Sequence, residues 1–201
     1  MELNHALAQI ADIRHQISRT RQFRGFRAAT TFCTALAALL TGMWQALRMP
    51  DAASHPTHFV LLWIFVAAGC IGITAIEVVR RYRNSDSPLQ QELTPLAVEQ
   101  LLPFAFVGAL LTWVICEYVP ASVWMLPGLW QVFFGLGLFS SRRMFPTPLL
   151  FAGAFYIACG LAILGGVGPH FSPWSMAVPF GVGQTANAFV LYWCLERRHA
   201  A

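Results

Sequence analysis

Apolar residues in this chain come as long blocks, with most of the charged residues in the gaps between them. Six blocks stand out, at residues 26–47, 59–79, 101–119, 121–139, 149–167 and 174–195. Each has about the 20 residues that a helix needs to cross the hydrocarbon core of a bilayer. A spanning segment must satisfy its own backbone hydrogen bonds, so these blocks are expected to be helices. The pattern predicts an all-α, polytopic membrane protein, with a six-helix transmembrane bundle over residues 26–198. Residues 1–25 follow a different rule. Leu3, Ala6, Leu7, Ile10, Ile13 and Ile17 recur at three- and four-residue steps, with His5, Gln9, Asp12, His15, Gln16 and Arg19 opposite. This predicts an amphipathic interfacial helix, lying on the cytoplasmic membrane surface or packed on the protein's own cytoplasmic face.

Interruptions inside the blocks carry the functional information. The last block contains Pro179-Phe180-Gly181-Val182-Gly183-Gln184-Thr185-Ala186-Asn187 near its centre. Gln184 and Asn187 are three residues apart and share a helix face. Polar groups at that depth need partners, so they turn towards a bundle interior or a cavity. In the fourth block, Gln131 follows Pro127-Gly128 and precedes Gly135 and Gly137, again near mid-span. Gln131, Gln184 and Asn187 are therefore the candidate substrate-binding residues.

Small residues predict where helices approach closely. Such stripes are Thr30, Thr34, Ala38, Thr41 and Gln45 in the first span, Ala68, Gly72 and Ala75 in the second, and Ala154, Ala158, Ala162 and Gly165 in the fifth. The first stripe also reads as a polar path for a solute. Thr94-Pro95-Leu96 recurs as Thr147-Pro148-Leu149, Pro127 as Pro179 and Gln131 as Gln184, each about fifty residues on. Chance or a parallel repeat of the two hairpins would both give this echo.

Charge orients the bundle. The formal net charge is +4, and all 13 basic residues are arginine. Twelve lie in the N-terminal arm, after the second and fourth spans, or at the C-terminus, with Arg48 alone on the other side. The positive-inside rule places both termini in the cytoplasm, in what is expected to be a bacterial cytoplasmic (inner) membrane. This distribution speaks for the bilayer as partner and against nucleic acid. Arg14, Arg21, Arg24 and Arg27 can meet anionic lipid. About 25 polar-to-mixed residues precede a full-length span, which disfavours a cleaved signal peptide.

The longest cytoplasmic connection, residues 84–100, opens on Asn84-Ser85-Asp86-Ser87-Pro88 and predicts a short surface helix before the third span. It could dock a cytoplasmic protein or simply cap the bundle. Glu77 can pair with Arg81 one turn on. Glu99 is a candidate partner of Arg80, Arg81 or Arg83, and Glu99, Arg80 and Arg81 are candidates for a partner contact or a gate.

Residues arranged for catalysis are sparse in this sequence. His55 and His58, with His170, Asp51 and Glu117, form a weak candidate for a divalent metal at the outer mouth, though solvated loop histidines fit the spacing better. The five cysteines lie inside spans without CxxC spacing. No span contains histidine, and HExxH, Walker and GxGxxG motifs are absent. The chain is expected to be a non-enzyme without a cofactor.

Two functions fit. One is a small permease or permease subunit with a midplane amide-lined site. An amphipathic N-terminal helix followed by six spans with both termini inside resembles the membrane half of some ABC exporters, which implies a separate ATPase docked near residues 89–98. The other is a non-catalytic sensor, regulator or scaffold that binds a cytoplasmic partner. Association with further copies of the chain is compatible with both.

Overall fold

The computed structural model describes residues 26–49, 55–84, 88–141, 145–166 and 172–197. The amphipathic segment 1–25 and the last residues of 26–198 lie outside the described residues. Those described form α1 (Ala28–Arg48), α2 (Pro56–Arg83), α3 (Pro88–Tyr118), α4 (Leu126–Ser140), α5 (Leu149–Gly166) and α6 (Pro173–Leu191), with no strand among them. A 3-10 segment, Pro120–Met125, leads into α4, and a π-helical turn, Tyr192–Glu196, extends α6. Five stretches are long and apolar enough to cross a membrane: α1, α2, Leu93–Tyr118, Pro120–Ser140 and α5. The protein is a multi-pass helical membrane protein. At 19 residues α6 has the length of a span, but with its prolines, glycines and amides it is not one of these five.

The third span differs from the sequence expectation. Surface helix and span are one helix of 31 residues with Pro95 and Pro103 inside it. Each proline removes a helical N–H and crowds the preceding turn. The helix nevertheless continues through Pro95, because Leu93 and Ala97 on either side are buried against Ala28, Val78, Phe145, Leu149 and Leu191.

Two antiparallel pairs hold the bundle. In the first, α4 and α5 meet through glycines seven residues apart on each helix. A methyl group on Gly135 would lie 2.6 Å from the Gly153 carbonyl oxygen, and one on Gly160 would lie 2.6 Å from the Gly128 carbonyl oxygen. Only glycine permits that approach, which maximises van der Waals contact where no hydrophobic drive exists between helices in lipid. In the second pair, Gly42 of α1 meets Ala177 of α6, and Gly181 of α6 receives the Leu39 side chain. Spatial order runs α2–α1–α6–α5–α4–α3, and α3 closes only loosely back onto α2.

Side chains collect in two apolar clusters. One contains Phe59, Val60, Trp63, Ile115, Val123, Leu126, Met176 and Ala177. The other, at the opposite end, contains Ala28, Val78, Leu93, Ala97, Phe145, Leu149 and Leu191. Helix α2 contributes to both clusters at its ends, and its middle is open, with Phe65 73% exposed and Ile71, Ile73 and Ile76 also outward.

Two of the predicted small-residue stripes are misplaced. In α5 the packed face is Leu149, Gly153, Tyr156, Gly160 and Ile163. Ala154, Ala158, Ala162 and Gly165 are exposed on another face. In α2, Ala68 and Ala75 are exposed, and Gly72 has nothing within 4 Å of its absent side chain. The internal echo also lacks a local counterpart. Thr94-Pro95-Leu96 is inside α3, whereas Thr147-Pro148 is a turn ahead of α5. Pro127 sits in the first turn of α4 and Pro179 in the interior of α6.

Candidate functional site

The inward face of α6 reads Met176, Ala177, Phe180, Gln184, Asn187, Leu191 at three- and four-residue steps. Met176, Ala177 and Phe180 belong to one apolar cluster and Leu191 to the other. Gln184 and Asn187 therefore sit between the two clusters. The Asn187 amide donates from Nδ2 to Gln184 Oε1 at 3.2 Å. Asn187 is 3% exposed, and its Oδ1 has no hydrogen-bond partner among the described residues.

Neighbouring helices bring hydroxyls to the same level. Thr30 of α1 donates to Glu77 of α2, and Leu39 of α1 packs on Gly181 of α6. This antiparallel register sets Thr34 and Thr74 at the depth of the amide pair. Thr34 donates to Thr31 O at 2.7 Å and Thr74 to Cys70 O at 2.8 Å. A hydroxyl whose proton is so engaged still accepts hydrogen bonds.

Tyr156 of α5, which motif reading passes over, closes the layer from the other side. Its ring lies 4.8 Å from that of Phe134 and 5.3 Å from that of Phe180, centroid to centroid. It is fully buried, and its hydroxyl has no partner among the described residues. Gly183 makes room for it, since a side-chain carbon there would run into the tyrosine ring. The sequence signal was the second glycine of Gly181-Val182-Gly183, because each of these glycines faces a large side chain of a different helix.

Comparison with protein-family models, with curated proteins and with solved structures gives no match.

Gln131 lies elsewhere. It is fully buried, and its Nε2 donates to Ser175 O at 2.8 Å while its Oε1 has no partner. Ser175 is nine residues before Gln184 on α6, about 13 Å along the axis. Among the described residues no hydrogen bond joins Gln131 to the amide pair. At that same end of the bundle, Gln45 of α1 accepts from Trp63 Nε1 at 3.0 Å and leaves its own Nε2 unpaired and buried. From the sequence Gln45 belongs to the stripe of the first span that reads as a packing face or a polar path. An open groove of about 330 Å³ on the α1–α2 seam is lined by Leu40, Thr41, Trp44 and Leu62.

The charged candidates separate. Arg81 pairs with Glu77 at 3.7 Å, as does Arg27 at 3.8 Å. Glu99 is exposed and forms no ion pair among the described residues, and Arg80 is exposed too. His55 and His58 are exposed with ring centroids 5.4 Å apart. His170 and Asp51 lie outside the described residues. Among the described residues no three potential metal ligands come together.

Proposed function

We propose that this protein is a small permease or permease subunit of six crossings. It would lie in a bacterial inner membrane with both termini inside, and pass a neutral or zwitterionic polar solute through an amide-lined layer on α6. One observation carries the reading. A hydrogen-bonded amide pair lies between two apolar clusters, with the Asn187 carbonyl oxygen buried and unused. A buried acceptor without a partner costs about 1–3 kcal/mol. A passing solute with an N–H or O–H would supply the missing donor. Gln131 and Gln45 offer a second station nearer the other end of α6, with one acceptor and one donor unused. Amides suit uncharged recognition and leave acid–base work aside, so the reading makes the protein a non-enzyme.

The test is flux. Full-length protein in proteoliposomes would be assayed for glycerol, urea and glycine, alone and with any ATPase found beside it. At least one solute is expected to cross well above protein-free vesicles, and Asn187→Leu to lower that flux at least tenfold. Full flux in both Gln184→Leu and Asn187→Leu, with both variants folded, removes the central site.

One observation favours the alternative of a sensor, regulator or scaffold. Helix α3 begins at Pro88, ahead of its apolar stretch Leu93–Tyr118, and Leu96, Val98 and Glu99 are exposed near the start of that stretch, which suits docking of a cytoplasmic protein. Loss of a co-purifying partner on Leu96→Glu, with flux absent in every variant, would favour that reading.

A further inference from the structure

The ends of α1, α2 and α6 meet in a charged corner that the amide layer does not use. Its two carboxylates turn inward. Glu196, in the π-helical turn after α6, accepts the backbone N–H of Ala28 at 3.0 Å and so ties the chain's end to the first turn of α1. Glu77 accepts from the Thr30 hydroxyl and holds Arg27 and Arg81 at 3.8 and 3.7 Å, both through Nε.

The guanidinium groups turn outward. The Arg27 side chain is 58% exposed and that of Arg81 39%. Arg80, Arg83 and Arg197 are exposed. Arg197 lies over the Trp193 ring, its Cζ 4.1 Å from the centroid. Among the described residues, this end of the bundle carries five guanidinium groups, two of them held by Glu77, while Glu196 is engaged by the Ala28 backbone.

Immediately inside this rim the surface becomes apolar. Ile73, Ile76 and Val79 of α2 are exposed, as are the aromatic side chains Tyr82, Tyr192 and Trp193. A basic rim above an exposed aliphatic strip, with aromatic rings at the boundary, matches a molecule with an anionic head and hydrocarbon tails. A soluble polyanion would leave the aliphatic strip unused. Guanidinium groups bind phosphate oxygens through paired N–H donors, and arginines at a membrane surface attract anionic lipid.

We propose that this corner is a binding site for the phosphate headgroup of an anionic phospholipid, with an acyl chain along Ile73, Ile76 and Val79. The site does not depend on the transport reading, and holds for a regulator as well.

Native mass spectrometry of the full chain in neutral detergent tests it, with dioleoylphosphatidylglycerol and dioleoylphosphatidylcholine as equimolar probes. The expected result is retention of the anionic lipid about tenfold above the zwitterionic one. Arg80→Gln/Arg83→Gln, on exposed residues, is expected to reduce that preference to within twofold. Arg80→Lys/Arg83→Lys should keep most of it, and Arg48→Gln, at the other end of α1, should keep all of it. Equal retention of the two lipids by the wild type would overturn the site, as would undiminished selectivity in the double glutamine variant. Tight binding of a soluble polyglutamate with no preference between the lipids would overturn it in favour of an acidic protein partner.

Discussion

In the α4–α5 hairpin, Gly128 faces Gly160 and Gly135 faces Gly153, backbone against backbone. In α2, Gly69 and Gly72 face nothing within 4 Å, and Ala68 and Ala75 are exposed. The residue types are nearly the same in the two regions, and the outcomes are opposite. In lipid a small residue gives no benefit by itself, because acyl chains are as apolar as any side chain. It matters only where a second helix presents its own backbone to the gap. The glycines of α4 and α5 are spaced alike, at seven residues, so two contacts form together. Among the described residues, the small residues of α2 have no glycine row opposite them, and burial in that helix is confined to its ends.

Substitutions can break this contrast. The largest effect is expected for Gly135→Val, whose side chain would collide with the Gly153 carbonyl and the Ile157 side chain. Overpacking costs about 1–3 kcal/mol, and the upper end applies because one obstacle is backbone. Thermal unfolding in detergent, or the yield of monodisperse protein, would read the loss. A wild-type midpoint in Gly135→Val would show that the helices can separate at little cost.

Next comes Gly183→Ala, where one methyl group meets the Tyr156 ring. A loss of about 1–2 kcal/mol is expected. Tyr156→Phe should be close to neutral or mildly stabilising, because the hydroxyl it removes is buried without a partner. If Tyr156→Phe instead destabilises strongly, that hydroxyl is bonded in the membrane. The smallest effect is expected at Gly72→Ala. It should leave stability unchanged or raise it by up to about 1 kcal/mol, since alanine is the better helix former. A clear loss there would mean that α2 has a partner helix, for example in a second copy of the chain.

The two regions also show what could be read from the chain before its structure. Long apolar blocks marked where most helices would lie, because a bilayer demands that length of apolar sequence. The ion pair of Glu77 and Arg81 followed from one-turn spacing. Packing faces did not follow in the same way. In α5 the alanine stripe and the glycine stripe are offset by one residue, about 100° around the helix, and composition alone cannot choose between them. Continuity of α3 through Pro95 was hidden for a similar reason, because the burial of Leu93 and Ala97 that sustains it depends on partners far along the chain. Of the candidate site, Gln184 and Asn187 were visible as amides on one face, and their hydrogen bond follows from a spacing of three. Gln45 was visible on the stripe of the first span but not its bond to Trp63, and Tyr156 was passed over, because which neighbour each side chain meets depends on helix register. The association of Gln131 with Ser175 rather than with the pair depends on helix register, which no local pattern encodes.

The central claim is that the layer between the two apolar clusters admits polar molecules. Cysteine accessibility tests it most directly. In a background with the five native cysteines replaced, single cysteines would be placed at Gln184, Asn187, Ala177 and Leu191, and treated in intact vesicles with a small water-soluble methanethiosulfonate reagent. Modification is expected at positions 184 and 187 at least tenfold faster than at 177 and 191, which lie inside the apolar clusters. Equal, negligible labelling at all four positions would contradict the claim and leave Gln184 and Asn187 as an internal brace of α6.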